Sequence, residues 1–370
     1  MSEIKKIVLT GGPCAGKTSA LSFLCEKLSS YGVNVIKVFE QATCLMKQGK
    51  TPEAMGSYAF HSLLFQNQLE EEERAEALAK QPAAEHTLIL CDRGLLDSRA
   101  YVLQEEFDRY AAEHGMNEDT IRNRYDAVFH LVTAADGAEK HYNFSTNAVR
   151  SEDLSHARQI DSDLLALWTG TTHLRVIDNS TDFSGKLNRL LQEVLSVIGV
   201  PEPLEIERKF LIEYPDNTLL QSLKTCRRVP IVQAYMNTPE EGIFRIRKRG
   251  EGSGAVYIKT KKYKLSDLKR IEIETHISEE EYLSYLSMRK YMQGIIAKDR
   301  YCIVWKSTYY ELDVYPFWND KVTLEIELLH EKQAYEIPDF LTLIRDVSFE
   351  KEYRNKHLAV KYGKFFTSLL

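Results

Sequence analysis

The chain has no apolar run of 18 residues, so no segment reads as a membrane-crossing helix. Its first residues, Met1 to Lys6, lead straight into a strand pattern and lack the build of a signal peptide. Cysteine is sparse: six thiols (Cys14, Cys25, Cys44, Cys91, Cys226, Cys302) show no C-x-x-C pair and no zinc spacing. Reduced thiols in a cytoplasmic protein are therefore expected. Basic charge is not in excess. The net charge of −6 gives no support to a general affinity for nucleic acid, and no such partner is expected. Internal repeats, low-complexity segments, polybasic tails and amphipathic anchors are missing too. The acidic run Glu70–Glu73 reads as a solvated helix face.

What is present suffices for two cores. A length of 370 residues exceeds what one hydrophobic core usually supports, and 44% hydrophobic with 28% charged residues is an ordinary soluble composition. The charges divide unevenly. Residues 1–199 hold 20 Lys+Arg against 28 Asp+Glu, a net of −8, whereas residues 200–370 hold 28 against 26, a net of +2. Gly199-Val200-Pro201-Glu202-Pro203 breaks the helix Phe183–Ile198 and reads as a linker. The expected division is 1–199, a linker at 200–204, and 205–370.

In the first half strand and helix patterns alternate: strands at Lys6–Thr10, Asn34–Glu40, Thr87–Asp92, Ala127–Thr133 and Leu174–Asp178, helices at Lys17–Ser29 and within Pro52–Ala79. That order predicts an α/β domain, a mostly parallel sheet with helices on both faces. Between the first strand and helix stands Gly11-Gly12-Pro13-Cys14-Ala15-Gly16-Lys17-Thr18, followed by Ser19, which fits G-x-x-x-x-G-K-[ST] in its required context. Glycines let backbone N–H groups surround phosphate oxygens at a helix amino terminus. Lys17 is expected to reach the outer phosphates of ATP or GTP, and Thr18 to bind Mg²⁺. Asp92 ends an apolar strand, where it would order that metal or its water.

In the second half, strand-like runs carry charge at alternate positions: Glu205, Glu207, Lys209; Arg245, Arg247; Lys259, Lys261; Arg270, Glu272, Glu274; Lys298, Arg300; Glu311, Asp313; Glu325, Glu327. Side chains alternate across a strand, so each set shares a face. One isolated set would be the wet face of a sheet. A closed barrel could instead gather all of them in a polar lumen, suited to a polyphosphate held through divalent metal ions. A helix is expected at about Glu279–Met292, with Ser278 and Glu281 at capping-box spacing, and another after Tyr353.

The first half resembles the small P-loop kinases near the nucleoside and nicotinamide riboside kinases, and their related ATPase domains, through the phosphate loop and the D-R-G-x-x-D stretch Asp92–Asp97. That resemblance implies that Arg93 contacts a substrate or the transferring phosphate. It also implies Glu40 as a general base toward an acceptor hydroxyl, and Arg150 and Arg158 as lid arginines. The second half resembles the CYTH domain, the triphosphate tunnel metalloenzymes, through Glu205-Ile206-Glu207-Arg208-Lys209, the later charge pairs in family order, and the closing stretch Val347–Asn355. The resemblance implies an α+β antiparallel eight-stranded barrel open at both ends, with Mg²⁺ or Mn²⁺ as cofactor. Its metal-facing residues would be Glu205, Glu207, Glu272, Glu274, Glu311, Asp313, Glu325 and Glu327. Its phosphate-facing residues would be Lys209, Arg245, Arg247, Lys259, Lys261, Arg270, Lys298, Arg300 and Lys351. A bifunctional phosphate enzyme acting on ATP or GTP and on a triphosphate-bearing small molecule is the leading expectation. Fusions of this architecture also include GTP-binding, acidic-phospholipid-binding trafficking regulators, and the cyclase branch uses the same ligands to cyclise ATP.

Overall fold

A computed structural model describes residues 3–81, 84–142, 154–237 and 242–363. The chain divides into two compact units, Met1–Ile198 and Gly199–Leu370.

In the first unit the strands are β1 (Glu3–Thr10), β2 (Asn34–Val38), β3 (His86–Asp92), β4 (Ala127–Leu131) and β5 (Leu174–Ile177). They form one parallel sheet in the order β2-β3-β1-β4-β5. The helices are α1 (Lys17–Ser30), α2 (Gln41–Lys47), α3 (Pro52–Met55), α4 (Ser57–Ala79), α5 (Gln104–Glu113), α6 (Glu118–Arg122), α7 (Leu154–Trp168) and α8 (Phe183–Val197). Every residue of β4 and six of the seven in β3 are buried, as befits strands covered on both faces. The strand expected to run to Glu40 stops at Val38, because Glu40 takes the N-cap position of α2. The helical stretch Pro52–Ala79 is broken at Gly56, whose φ of 83° lies in the left-handed region. Strand order reverses across β1, so the loops after β1 and β3 flank one crevice at the carboxyl edge of the sheet.

In the second unit the strands are β6 (Leu204–Glu213), β7 (Cys226–Met236), β8 (Ile243–Arg249), β9 (Val256–Lys264), β10 (Lys269–Ile277), β11 (Met292–Trp305), β12 (Thr308–Val314), β13 (Lys321–Glu327) and β14 (Leu343–Asp346). Its helices are α9 (Asn217–Ser222), α10 (Glu279–Ser287) and α11 (Asn355–Tyr362). The sheet runs β10-β9-β8-β7-β11-β12-β13-β6 and closes on itself through antiparallel pairing of Lys269–Ile271 with Leu204–Ile206. Eight strands thus make a barrel, and β14 adds to β6 beside the closure. The apolar alternates point outward. Ile206, Phe210, Ile212, Leu312, Leu324 and Ile326 pack with Leu220 of α9, while Phe244 and Ile246 belong to the cluster that takes in Tyr282 of α10. The charged alternates are left to face inward.

One end of the barrel differs from the open-ended expectation. A Cβ on Gly294 would lie 2.7 Å from the backbone of Ala359, so α11 packs directly on that face of β11. Gly294 pairs with Tyr235, which pairs with Arg245 on the inward side. Helix α11 therefore lies over inward-facing residues at this end.

Candidate functional site

The loop from Gly11 to Thr18 depends on glycine at its two ends. Gly11 has φ 130° and Gly16 φ 88°, and a Cβ at Gly11 would come within 2.1 Å of the Leu131 carbonyl oxygen. Cys14 shares the left-handed region, with φ 55°. The Lys17 ammonium lies across the loop, donating to the Gly11 and Gly12 carbonyls at 2.7 and 2.9 Å. Pro13, Cys14, Lys17, Thr18, Ser19, Glu40 and Asp92 all line a single cleft of about 1370 Å³. The loop's outer arm is pinned by Asp161 of α7, which accepts from the Gly12 and Thr133 amides at 2.7 and 3.2 Å and from His130 Nε2 at 3.1 Å. Burial opposes ionisation of Asp161, but His130 and these donors hold its carboxyl below the usual range.

Asp92 sits at the end of β3, 4% exposed, and its Oδ1 has no hydrogen-bond partner among the described residues. Burial raises its carboxyl above the ordinary value, with Lys17 opposing and Glu40 reinforcing. A dry carboxylate oxygen with no donor, in the same cleft as the Thr18 hydroxyl, fits a hard cation such as Mg²⁺. Beside it, Arg93 Nε donates to Glu40 Oε1 at 2.7 Å, and Arg93 Nη1 to Asp97 Oδ2 at 3.2 Å. Glu40 Oε2 also accepts from Thr43 Oγ1 at 2.5 Å. Both Glu40 oxygens are occupied, so in this arrangement the residue holds Arg93 and Thr43. Arg158 donates to the Ala135 carbonyl at 2.6 Å and to Glu139 at 2.9 Å, outside the residues lining the cleft. Arg150 lies outside the described residues.

In the barrel the inward charges form two groups. In one, Arg300 donates to Asp313 and Glu325, each at 2.7 Å, and pairs with Glu311; Lys298 pairs with Asp313 and Lys209 with Glu325 at 2.5 Å. In the other, Arg245 meets Glu272 and Glu274 at 3.1 and 3.0 Å, and Arg247 meets Glu274 at 2.6 Å. Lys262 meets Glu205 and Glu272 at 2.7 and 2.8 Å, with Arg270 at 3.7 Å from Glu205. Glu207 stands between the groups, 3.9 Å from Lys209. The surroundings set the carboxyls apart. Burial would raise Glu205, but Lys262 and Arg270 hold it at about 2. Glu207 is pushed up to about 7 by burial and the nearby Glu325. Burial also opposes ionisation of Glu325, yet Lys209, Lys298 and Arg300 keep it well below the ordinary range. Lys298 is lowered to about 8 by burial and Arg300.

Family comparison divides the chain where the fold does. Residues 6–186 match the model of an AAA domain, and residues 203–352 match that of a CYTH domain. The chain carries an AAA domain followed by a CYTH domain. Among solved structures, an inorganic triphosphatase is 28% identical over 42% of this chain and 94% of its own, with a TM-score of 0.29. A conserved hypothetical protein from Pyrococcus furiosus is 24% identical over 33% of this chain and 78% of its own, with a TM-score of 0.26. No curated protein matches the chain.

Within the CYTH domain the lysine pair on β9 needs correcting. Arg245 pairs with Thr260, and Glu272 pairs with Lys262, so the inward residues of β9 are Thr260 and Lys262. Lys259 and Lys261 point outward: Lys259 meets Glu281 of α10 at 3.1 Å, and Lys261 pairs with Phe244 and Ile273. Lysines occupy both faces between Lys259 and Lys264, so composition alone could not choose between them. The register against Arg245 and Arg247 could have. Lys351 is exposed on the segment leading into α11, and Glu327 is exposed at the end of β13. Glu327 lies opposite Glu207 in the pairing of β13 with β6. Asn355 was not anticipated as a site residue. Its Oδ1 accepts from Tyr315 at 2.7 Å and Lys298 at 3.4 Å, and its Nδ2 donates to Glu325 at 3.4 Å.

Among the described residues no three His, Cys, Asp or Glu side chains converge as a ready metal cluster, because cations interleave with the carboxylates. The donors are hard oxygens, and Glu207 has the weakest cation support of them. That set fits a hard divalent cation. None of the helices described is long and apolar enough to cross a membrane.

Proposed function

We propose that the chain is a bifunctional phosphate enzyme. Its AAA domain binds ATP or GTP with Mg²⁺ in kinase-like turnover. Its CYTH domain is a metal-dependent triphosphatase acting on an inorganic or organic triphosphate. The observation that carries this reading is the barrel's inward face. It places Lys209, Arg245, Arg247, Lys262, Lys298 and Arg300 among carboxylates that neutralise them. A triphosphate has about four negative charges, and phosphate oxygens could replace those carboxylates one for one, with Arg in bidentate geometry. The carboxylates so released are then the ligands for a divalent ion, with Glu205 and Glu207 foremost. When bound, that ion would neutralise developing phosphate charge and lower the pKa of attacking water. The cations orient the chain of phosphates, and Lys298 and Arg300 steady charge on the leaving group.

In the AAA domain, Lys17 and the loop amides cradle the phosphates, Thr18 and Asp92 hold the metal, and Arg93, next to Asp92 in sequence and bound by cleft-lining Glu40, is the arginine for the transferring group. Separation of the sites tests the proposal. Lys17→Ala should abolish turnover of ATP or GTP by the AAA domain and leave tripolyphosphate hydrolysis intact, read as phosphate release from each substrate. Loss of both activities in that variant would refute two independent sites.

A further inference from the structure

Arg93 is held in an unfavourable backbone state. Its φ of 71° lies in the left-handed region, which is strained for a side-chain-bearing residue and persists only where neighbours hold it. Three hydrogen bonds do so. The Arg93 amide donates to the Leu9 carbonyl at 3.0 Å. The Arg93 carbonyl accepts from Gln68 Nε2 at 3.2 Å, and two residues on, the Leu95 amide donates to Tyr125 Oη at 3.0 Å. The last two holders converge on one atom. Gln68 Nε2 donates to Glu72 Oε1 at 3.0 Å, and the Tyr125 hydroxyl donates to the same oxygen at 2.7 Å. Glu72 is 0% exposed, and its other oxygen meets Lys6 at 3.2 Å and Arg124 at 3.6 Å. Gln68 and Glu72 lie four apart on α4, hence on one helix face. A carboxylate this dry is retained only if fully paired, and here two of its partners reach either side of Arg93.

We infer that Glu72 is a positioning residue for Arg93, acting through Gln68 and Tyr125 to fix the backbone that aims the guanidinium. Glu72 does not line the cleft and touches no group expected to meet nucleotide. The inference rests on the proposed role of Arg93 in phosphoryl transfer. Glu40 and Asp97 hold the guanidinium itself. The relay holds the main chain that carries it.

Removing the Glu72 carboxylate would leave Lys6 buried with Glu76 alone, so the relay is better cut at its two arms. Tyr125→Phe keeps the ring against Trp168, 5.5 Å away, and Gln68→Leu keeps the helix and most of the volume. Each should lower the Lys17-dependent turnover number for ATP or GTP about tenfold while nucleotide KM shifts less than about twofold. In an Arg93→Ala background neither should cause a further loss, because the relay acts through that residue. Hydrogen exchange supplies a readout independent of turnover: amides of Arg93 to Asp97 should exchange faster in both variants, with β1 unchanged. Unaltered exchange there, or a full additional loss in the Arg93→Ala background, overturns the inference alone. Unchanged turnover in Arg93→Ala itself overturns the role of Arg93 and the inference with it.

Discussion

The two sites handle phosphate by opposite means. In the AAA domain the anion site is mostly main chain, with one ammonium resting on the loop's own carbonyls and one carboxylate oxygen without a donor among the described residues. In the CYTH barrel it is almost all side chain, with cations and carboxylates already neutralising one another at close range. The first arrangement needs few residues and a fixed turn. The second needs a closed sheet, because only closure turns the charged alternates of separate strands toward one another. It follows that the two sites should fail differently when a single charge is removed.

The largest difference is expected in stability. Asp313 is 0% exposed and pairs with both Lys298 and Arg300. Asp313→Ala takes the carboxylate from buried Lys298 and one of three from Arg300, and should cost the barrel about 3 kcal/mol. Lys17→Ala removes an ammonium that rests on the Gly11 and Gly12 carbonyls at the rim of an open cleft and should cost much less. Chemical denaturation followed separately for the two units checks this. Equal losses would mean that the barrel's charges are not interdependent.

A sharper test lies within the barrel. Lys262→Ala removes an inward cation and should lower tripolyphosphate hydrolysis about a hundredfold, whereas Lys261→Ala, on the outward face, should stay within about twofold. The reverse ranking would mean that the register of β9 differs from the one described.

The smallest effect concerns a buried cation on the AAA side. Lys186 donates to the Val132 carbonyl at 2.6 Å and to Asn179 at 2.8 Å, and burial lowers it to about 8 from an ordinary 10.5. Its folded-state value is depressed, so below pH 8 the folded state carries an energetic penalty for keeping the proton. That penalty fades as pH rises from 8 toward 10.5, where only the unfolded chain holds the proton. The melting temperature of wild type relative to Lys186→Met should therefore rise across this window. A difference independent of pH would show that Lys186 titrates normally.

The same contrast explains what could be read from the chain. The phosphate loop is contiguous, and eight adjacent residues with their flanking strand and helix suffice to place it. The barrel's charges were legible as alternating sets, because each strand states its own period. Which set faces inward was legible only where one parity is charged and the other apolar, as in Arg270–Glu274. On β9 both parities carry lysine, and the choice falls to pairing with β8, a non-local fact. Glu72 was hidden for a related reason. Within Glu70–Glu73 it reads as one more solvated acid, and only the packing of α4 against β2 and β3 shows it fully buried among Lys6, Gln68 and Tyr125. Asp161 lies 149 residues from the Gly12 amide it holds, beyond the reach of any local pattern.

The most direct test of the account is phosphate release from inorganic tripolyphosphate with Mg²⁺ or Mn²⁺, in wild type and in Glu205→Gln/Glu207→Gln. Metal-dependent hydrolysis is expected in wild type and should fall about a hundredfold or more in the double variant while Lys17-dependent nucleotide turnover persists. Metal-dependent hydrolysis that survives the double substitution would contradict it.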